Sequence, residues 1–182
     1  MSVFRVSYRY ANSLMLLAEE KNIFQEVAKD ADLIFNTINN SKELKVILKS
    51  PVIKTELKKK LLNEIFSNKI SSETLSFIDF VIQKNREDIL LEIFKEFLVL
   101  CDKKNKILRA KVKTAVELDE SLKSKLTSKL ESRTNQKVIA NYLLDQKIIG
   151  GFVVEIDDQV YDASVKHQLA QLRKKFSEEI SI

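Results

Sequence analysis

Apolar residues recur every three or four positions from Arg5 to about Asn105, the period of helices that bury one face. Tyr10, Leu14, Leu17 and Ala18 make one stripe, and Ile23, Val27, Ala31, Ile34 and Ile38 make the next. Ser41 is placed to cap a short helix carrying Leu44, Ile47 and Leu48. Pro51 ends it, because a residue before proline is pushed out of the α region. A fourth helix runs through Leu57, Leu61, Leu62, Ile65 and Phe66. Ser71 or Ser72 caps a fifth with Leu75, Ile78, Val81 and Ile82, and Glu87 or Asp88 opens a sixth with Leu91, Phe94, Phe97, Leu98 and Cys101. Short polar links between six such helices predict an antiparallel bundle.

Near Lys106 the period changes from helical to alternating. Leu108, Ala110, Val112, Thr114 and Val116 alternate with Arg109, Lys111, Lys113 and Ala115, which describes a half-buried strand. Asp119 can cap a helix whose Leu122, Leu126 and Leu130 share a stripe, and Val138 to Leu144 alternates again. Phe152, Val154 and Ile156 then alternate with Val153 and Glu155. An Asp157-Asp158 turn, a second short strand and a final helix bearing Val165, Leu169, Leu172 and Phe176 follow. The fold class is therefore mainly α, a six-helix antiparallel N-terminal bundle followed by a small α/β C-terminal domain. The boundary falls at Asp102 to Lys106, giving domains of residues 1–105 and 106–182.

Two glycines and one proline in 182 residues argue against a loop-rich or all-β fold. Both glycines stand together at Gly150 and Gly151, before a strand, so one place is expected to need positive φ or close backbone approach. The pair is not a phosphate cradle, which precedes a helix N-terminus and carries further glycines. The formal charge of +5 comes from 31 basic and 26 acidic residues that interleave along the helices, the pattern of a solvated surface. Arg109, Lys111 and Lys113 on one strand face raise a nucleic-acid alternative, although such charges equally keep an exposed strand soluble and unpaired. Cys101 is the only cysteine, which excludes an intramolecular disulfide and a cysteine-based zinc cluster, and it reads as a small buried thiol. No apolar run approaches a membrane span, and the start has no signal-peptide core, so a soluble protein of a reducing compartment is expected.

No catalytic constellation emerges. His167 is the only histidine, and Ser164, His167 and Asp162 lie within one helical turn with no nucleophile elbow. Asp162 reads better as an N-cap, its carboxylate accepting from the amide of Ser164 or Val165, worth ~1 kcal/mol. No catalytic residue, metal or cofactor is expected, and an interaction protein becomes the leading class.

The segment from Asp145 to Leu172, with its apolar pair, Gly150-Gly151, apolar strand, Asp162-Ala163-Ser164-Val165 and Leu169-x-x-Leu172, resembles the C-terminal signature of the ATP synthase delta subunit family, whose mitochondrial relative is the oligomycin sensitivity-conferring protein. Tyr8-Arg9-Tyr10-Ala11-Asn12-Ser13-Leu14 resembles the family's opening motif, and Lys84-Asn85-Arg86 resembles its mid-chain arginine motif. The resemblance covers nearly the whole chain. Departures are Ile148 for a leucine, Ala163 for a frequent glycine and Ser13 for a small alanine. Gly150, Gly151, Asp162, Ser164, Val165 and Leu169 are the structural signature positions.

That resemblance implies a non-catalytic stator subunit joining the α/β catalytic head to the b-subunit peripheral stalk. It implies that the bundle takes the amphipathic N-terminal helix of an α subunit in a groove between the first and fifth helices. Tyr10, Ser13, Leu14 and Leu17 would face Ser76, Phe77 and Phe80 there, with about half of these seven serving the core instead. The C-terminal domain would engage the b subunits. One copy per complex is expected, with the membrane reached only through the complex, at the cytoplasmic face of a bacterial plasma membrane or, alternatively, in an organelle after processing. The rival function is a basic RNA- or DNA-binding protein.

Overall fold

The computed structural model describes residues 2–145, 147–156 and 159–179, so the expected Asp157-Asp158 turn lies outside the described residues. The chain divides into two compact units, Met1–Lys104 and Asn105–Ile182. The first is an antiparallel bundle of α1 (Val3–Glu20), α2 (Phe24–Asn40), α3 (Lys42–Lys49), α4 (Thr55–Phe66), α5 (Ser72–Gln83) and α6 (Leu90–Lys104), with a 3-10 turn at Glu87–Ile89 leading into α6. α6 is the element on which the others close. Its Leu90, Ile93, Phe94 and Phe97 are completely buried, and α1 and α2 both pack along it. α5 reaches it through Phe77, whose ring meets Phe94 edge-on at 6.3 Å. Each such side chain removed from water contributes about 1.5–3 kcal/mol, so this helix anchors the unit.

Polar groups fix the ends of these helices. Ser41 Oγ accepts from the Leu44 amide at 3.1 Å, as its position before α3 predicts. Ser71 caps α5 by accepting from the Thr74 amide, and its own amide and hydroxyl donate to Asp30 Oδ2 on α2 at 2.9 and 2.6 Å. Asp30 thereby pins the start of α5 to the middle of α2. Lys58 of α4 is buried with its ammonium 2.8 Å from Glu87 Oε1 and donating to the Leu48 carbonyl at 2.9 Å. The second carboxylate oxygen of Glu87 has no hydrogen-bond partner among the described residues.

Left-handed backbone is not limited to the glycine pair, where Gly151 has a φ of +80°. Asn22, Asn85 and Asn135 also have positive φ, as does Lys106. Asn22 and Asn85 close helices α1 and α5. After α1 the Ile23 amide reaches the Ala18 carbonyl and the Asn22 amide that of Glu19; after α5 the Arg86 and Asn85 amides repeat the pattern on Val81 and Ile82. Asparagine tolerates this conformation through its short polar side chain, so it replaces glycine as the helix stop.

In the second unit, β1 (Ile107–Thr114), α7 (Glu120–Thr134), β2 (Lys137–Leu144), β3 (Phe152–Ile156), β4 (Gln159–Asp162) and α8 (Val165–Glu179) build a four-stranded sheet in the order β2-β1-β3-β4. β1 pairs in parallel with β2 and antiparallel with β3, and β3 and β4 form an antiparallel hairpin. The strand bearing Arg109, Lys111 and Lys113 is therefore interior, not an exposed, unpaired edge, and Lys113 is ion-paired with Glu155. Asp119 caps α7 as expected, its carboxylate accepting from the Leu122 amide at 2.7 Å. The core is thin: Ala110, Val112, Val138, Val154 and Ile156, with Leu126 and Leu130 of α7 laid over them. Leu122, placed on the same stripe by its spacing, is exposed. Tyr142 ties β2 to α7 by donating its hydroxyl to the Lys123 carbonyl at 3.0 Å.

Removing Lys58's charge by Lys58→Met leaves Glu87 buried and unpaired. This is expected to destabilise the chain by about 3–5 kcal/mol in urea unfolding, whereas the double replacement Lys58→Met/Glu87→Leu recovers most of the loss. Burial, reinforced by the Asp102 carboxylate, pushes the Cys101 thiol up to about 12. It is expected to resist a disulfide exchange reagent at pH 8 and to react at once in denaturant. Because the unfolded thiol gives up its proton first, near pH ~8.5, this residue's contribution to stability falls as pH rises from there toward the folded value.

Candidate functional site

A cleft of about 490 Å³ opens on the bundle between α1 and α5, lined by Val6, Arg9, Tyr10, Ser13, Phe80 and Arg86. Its origin lies in the core. α1 turns Ser7, Ala11, Leu14, Met15 and Ala18 inward, and α5 turns Thr74, Phe77, Ile78, Val81 and Ile82 inward. Each helix is apolar over a wider arc than this buried face, so Tyr10 and Phe80 flank the interior. Their rings meet at 6.2 Å. A second tie between the two helices is Lys21 to Glu73 at 3.5 Å, so the helices run antiparallel, with Tyr10 opposite Phe80 and the end of α1 opposite the start of α5. Hydrogen bonding, chiefly from the Ser72 hydroxyl and its own backbone, holds the half-buried Glu73 carboxyl below the usual range.

The seven residues expected to form a groove separate into two sets. Leu14 and Phe77 are buried in the bundle core. Ser13 and Ser76 are exposed, Tyr10 and Leu17 are half-buried, and Phe80 is 43% exposed. An aromatic ring left this open on a folded surface, beside a second ring and a small serine, is what a helix partner requires: anchors for its apolar side chains and a low point for its backbone. Val6 and Arg9 were not among the expected positions. Val6 continues the Tyr10 stripe one turn earlier, at i−4, and that spacing is its signal. Arg86 belongs to the Lys84-Asn85-Arg86 motif, and the left-handed Asn85 stops α5 just before Arg86 reaches the cleft. The Lys84 ammonium lies 5.6 Å from the centre of the Phe80 ring.

The signature positions of the second unit gather around the start of α8. Gly151 has φ of +80°, and a Cβ there would sit 2.3 Å from the Ala163 carbonyl oxygen. A Cβ on Gly150 would meet Val165 Cγ2 at 3.1 Å. This close approach lets the Val165 amide donate to the Gly150 carbonyl and the Ala163 amide to that of Phe152. Asp162 does not open the helix as expected. It ends β4, and its carboxylate accepts from the Ser164 amide at 2.8 Å, while buried Ser164 precedes the helix and accepts from the His167 amide at 3.2 Å. The reason is geometric: the extended β4 carries through Asp162, so the first residue free to turn is two positions on. Bonds from the Ser164 hydroxyl and amide, then the charges of His167 and Lys166, hold the Asp162 carboxyl below its ordinary range. With its hydroxyl accepting from the His167 amide, Ser164 serves as the cap of α8. His167 Nδ1 stands 3.9 Å from Asp162 Oδ2. Leu169 is exposed one turn further on, with Val165, Leu172 and Phe176 exposed along the same helix.

Comparison with known proteins agrees with both units. A model of the ATP synthase delta (OSCP) subunit family matches residues 6–176. The chain is 36% identical over 176 residues to the ATP synthase subunit delta of Chloroherpeton thalassium (strain ATCC 35110 / GB-78), covering 97% of this chain and 96% of the relative. It is 39% identical over 173 residues to that of Chlorobaculum tepidum (strain ATCC 49652 / DSM 12025 / NBRC 103806 / TLS), covering 95% and 96%. Among solved structures, a chain in the cryo-EM structure of the Toxoplasma gondii mitochondrial ATP synthase hexamer has the same fold, with a TM-score of 0.72 at 19% identity over 93% of this chain and 96% of that one.

Gly151→Ala is expected to cost more than about 2 kcal/mol, because alanine disfavours positive φ and its Cβ collides with backbone that cannot rotate away. Amide exchange measured by NMR should accelerate across β3 and the first turn of α8. As pH falls through the depressed Asp162 pKa, below the ordinary range of an aspartate, protonation weakens the same turn, and the Ser164 amide is expected to lose protection there.

Proposed function

The chain belongs to the ATP synthase delta (OSCP) subunit family, and from that membership we propose the division of labour between its two units. It is a non-catalytic stator subunit of the rotary ATP synthase, linking the α/β catalytic head to the b-subunit peripheral stalk and so supporting the coupling of ion flow to ATP synthesis. The unit of residues 1–105 holds the head, and that of residues 106–182 engages the stalk. The nucleic-acid alternative finds no support: the basic strand is interior to its sheet, and Lys113 on it is engaged with Glu155.

The observation that carries the assignment of the bundle is the open cleft between α1 and α5, with Tyr10 and Phe80 facing it. An amphipathic helix from the N-terminus of an α subunit fits such a cleft, its apolar side chains on the two rings and its backbone passing over Ser13. Leu14 and Phe77 belong to the buried core of the same two helices, and Leu17 and Ser76 lie outside the lining of the cleft. The stalk-facing role of the second unit is supported by α8, which carries Val165, Leu169, Leu172 and Phe176 on its exposed surface. A tie of this kind needs no chemistry. It must resist torque on the head, which is a matter of slow dissociation and of rigid helices.

The chain is a peripheral component of the membrane-bound complex, and no described helix is long and apolar enough to cross a membrane. The proposed place is the cytoplasmic face of a bacterial plasma membrane, with one copy in each complex. Phe80→Asp is expected to weaken capture of the purified α/β head by at least about 30-fold, the cost of a central aromatic anchor, while the thermal unfolding midpoint shifts less than for a core phenylalanine because the residue is 43% exposed. Unchanged capture would place the head elsewhere.

A further inference from the structure

β2 is an outer strand of its sheet and the longer of the two edges, with eight residues against four in β4. The Lys137 amide donates to the Lys106 carbonyl and the Asp145 amide to that of Thr114, so the odd-numbered residues of β2 bond inward to β1. The backbone groups of Val138, Ala140, Tyr142 and Leu144 therefore point outward. Glu131 Oε1 takes the Val138 amide at 3.0 Å, and among the described residues nothing takes the amides of the other three. Apolar side chains accompany this edge: Ile139 and Leu143, on the face away from α7, are 42% and 43% exposed. Charge stands only at its ends, with Lys137 at the start and Asp145 just past the finish. A long apolar edge in unbroken register, without proline, is a template for another strand.

We propose that this edge pairs with the same edge of a second copy of the chain, antiparallel about a two-fold axis at Asn141, making one sheet continuous through both copies. Alternation restricts the register, because opposed residues must share a face and the outward backbone groups must meet. Centred on Asn141, Ala140 of each copy exchanges both of its backbone hydrogen bonds with Tyr142 of the other. Ile139 then lies opposite Leu143, in the closely spaced kind of pair, and Lys137 opposite Asp145. Symmetry makes each of these pairs twice, so the edge is complementary to itself in both apolar and charged positions. That self-complementarity favours a second copy over an unrelated extended segment. The pairing also closes, since the edge left over is the short β4. It belongs to the unassembled chain: with the proposed one copy in each complex, no second edge is present there.

Sedimentation equilibrium of the full chain from about 5 to 500 µM is expected to show a reversible monomer–dimer equilibrium, because one strand edge buries less than a standard interface. Ile139→Lys is expected to weaken the dimer roughly tenfold or more, its effect counted twice by symmetry, while circular dichroism stays that of the unmodified chain. Lys137→Asp and Asp145→Lys each set like charges opposite one another and should each weaken self-pairing. An equimolar mixture of those two variants restores opposite charges at both ends and should dimerise about as well as the unmodified chain. Asp145 also accepts from the Lys147 amide, so Lys137→Asp is the variant that leaves the neighbouring turn untouched. Leu169→Lys on α8 should leave the dimer as it is. A chain that stays monomeric over the whole range overturns the proposal. So does a dimer that Ile139→Lys leaves intact, that Leu169→Lys dissolves, or whose charge variants fail to complement, because it would use another face or another register.

Discussion

Phe94 and Phe97 fill the middle of the bundle without solvent exposure, and no neighbouring helix can come closer than these rings permit. α1 and α2 pack along the helix that carries them, and α5 is held off by the edge contact of Phe77 on Phe94. A close-packed interior transmits such a spacing to the surface, because side chains in rotamer minima cannot be compressed to close a gap. The separation of α1 and α5 at the surface is thus decided by aromatic volume in the core. The cleft between them is a consequence of packing, bridged where Tyr10 touches Phe80 and where Lys21 reaches Glu73.

The bundle spends buried polar groups on rigidity. Asp30 takes two hydrogen bonds from Ser71 and so fixes where α5 begins, which in turn sets the height of Phe80 along the cleft. Lys58 and Glu87 do the same at the turn entering α6. Buried pairs of this kind add little net stability compared with apolar residues of the same size, but losing either partner is costly. For a subunit that holds a rotating machine's head in place, a fixed groove matters more than a deep energy well. A partner helix bound to preorganised anchors loses less entropy on docking, and the bond lasts longer under load.

The second unit is built on a different principle. Its core of five buried apolar side chains among the described residues is small for a sheet of four strands, and α8 leaves Val165, Leu169, Leu172 and Phe176 exposed. What holds the start of α8 is backbone proximity, with Gly150 and Gly151 close enough to bond Val165 and Ala163 to the hairpin. An apolar helix face left open, on a small unit with little core of its own, suits a surface completed by a partner, as the proposed engagement of the stalk would require.

Helix number, order and type were legible in the sequence because a 3.6-residue period is local and survives over many turns, and because Ser41, Pro51, Ser71 and Asp119 act within three residues of where they stand. The glycine pair announced a special backbone for the same local reason. The three asparagine stops were missed because asparagine is also common in ordinary loops, and its left-handed use leaves no periodic trace. Which groove candidates stay open to solvent was not legible at all. Leu14 and Tyr10 share a stripe, as do Phe77 and Phe80 on theirs, and spacing alone cannot say where a core ends along an apolar arc. Only the position of α6 decides that, burying Leu14 and Phe77 and leaving Phe80 in the open. Asp162 and Ser164 are both good caps by composition, and the choice between them fell to the pairing of β4 with β3, a contact between strands that neither residue encodes by itself. Local periodicity is a property of the chain, whereas the edge of a core and the end of a strand are set by what packs against them.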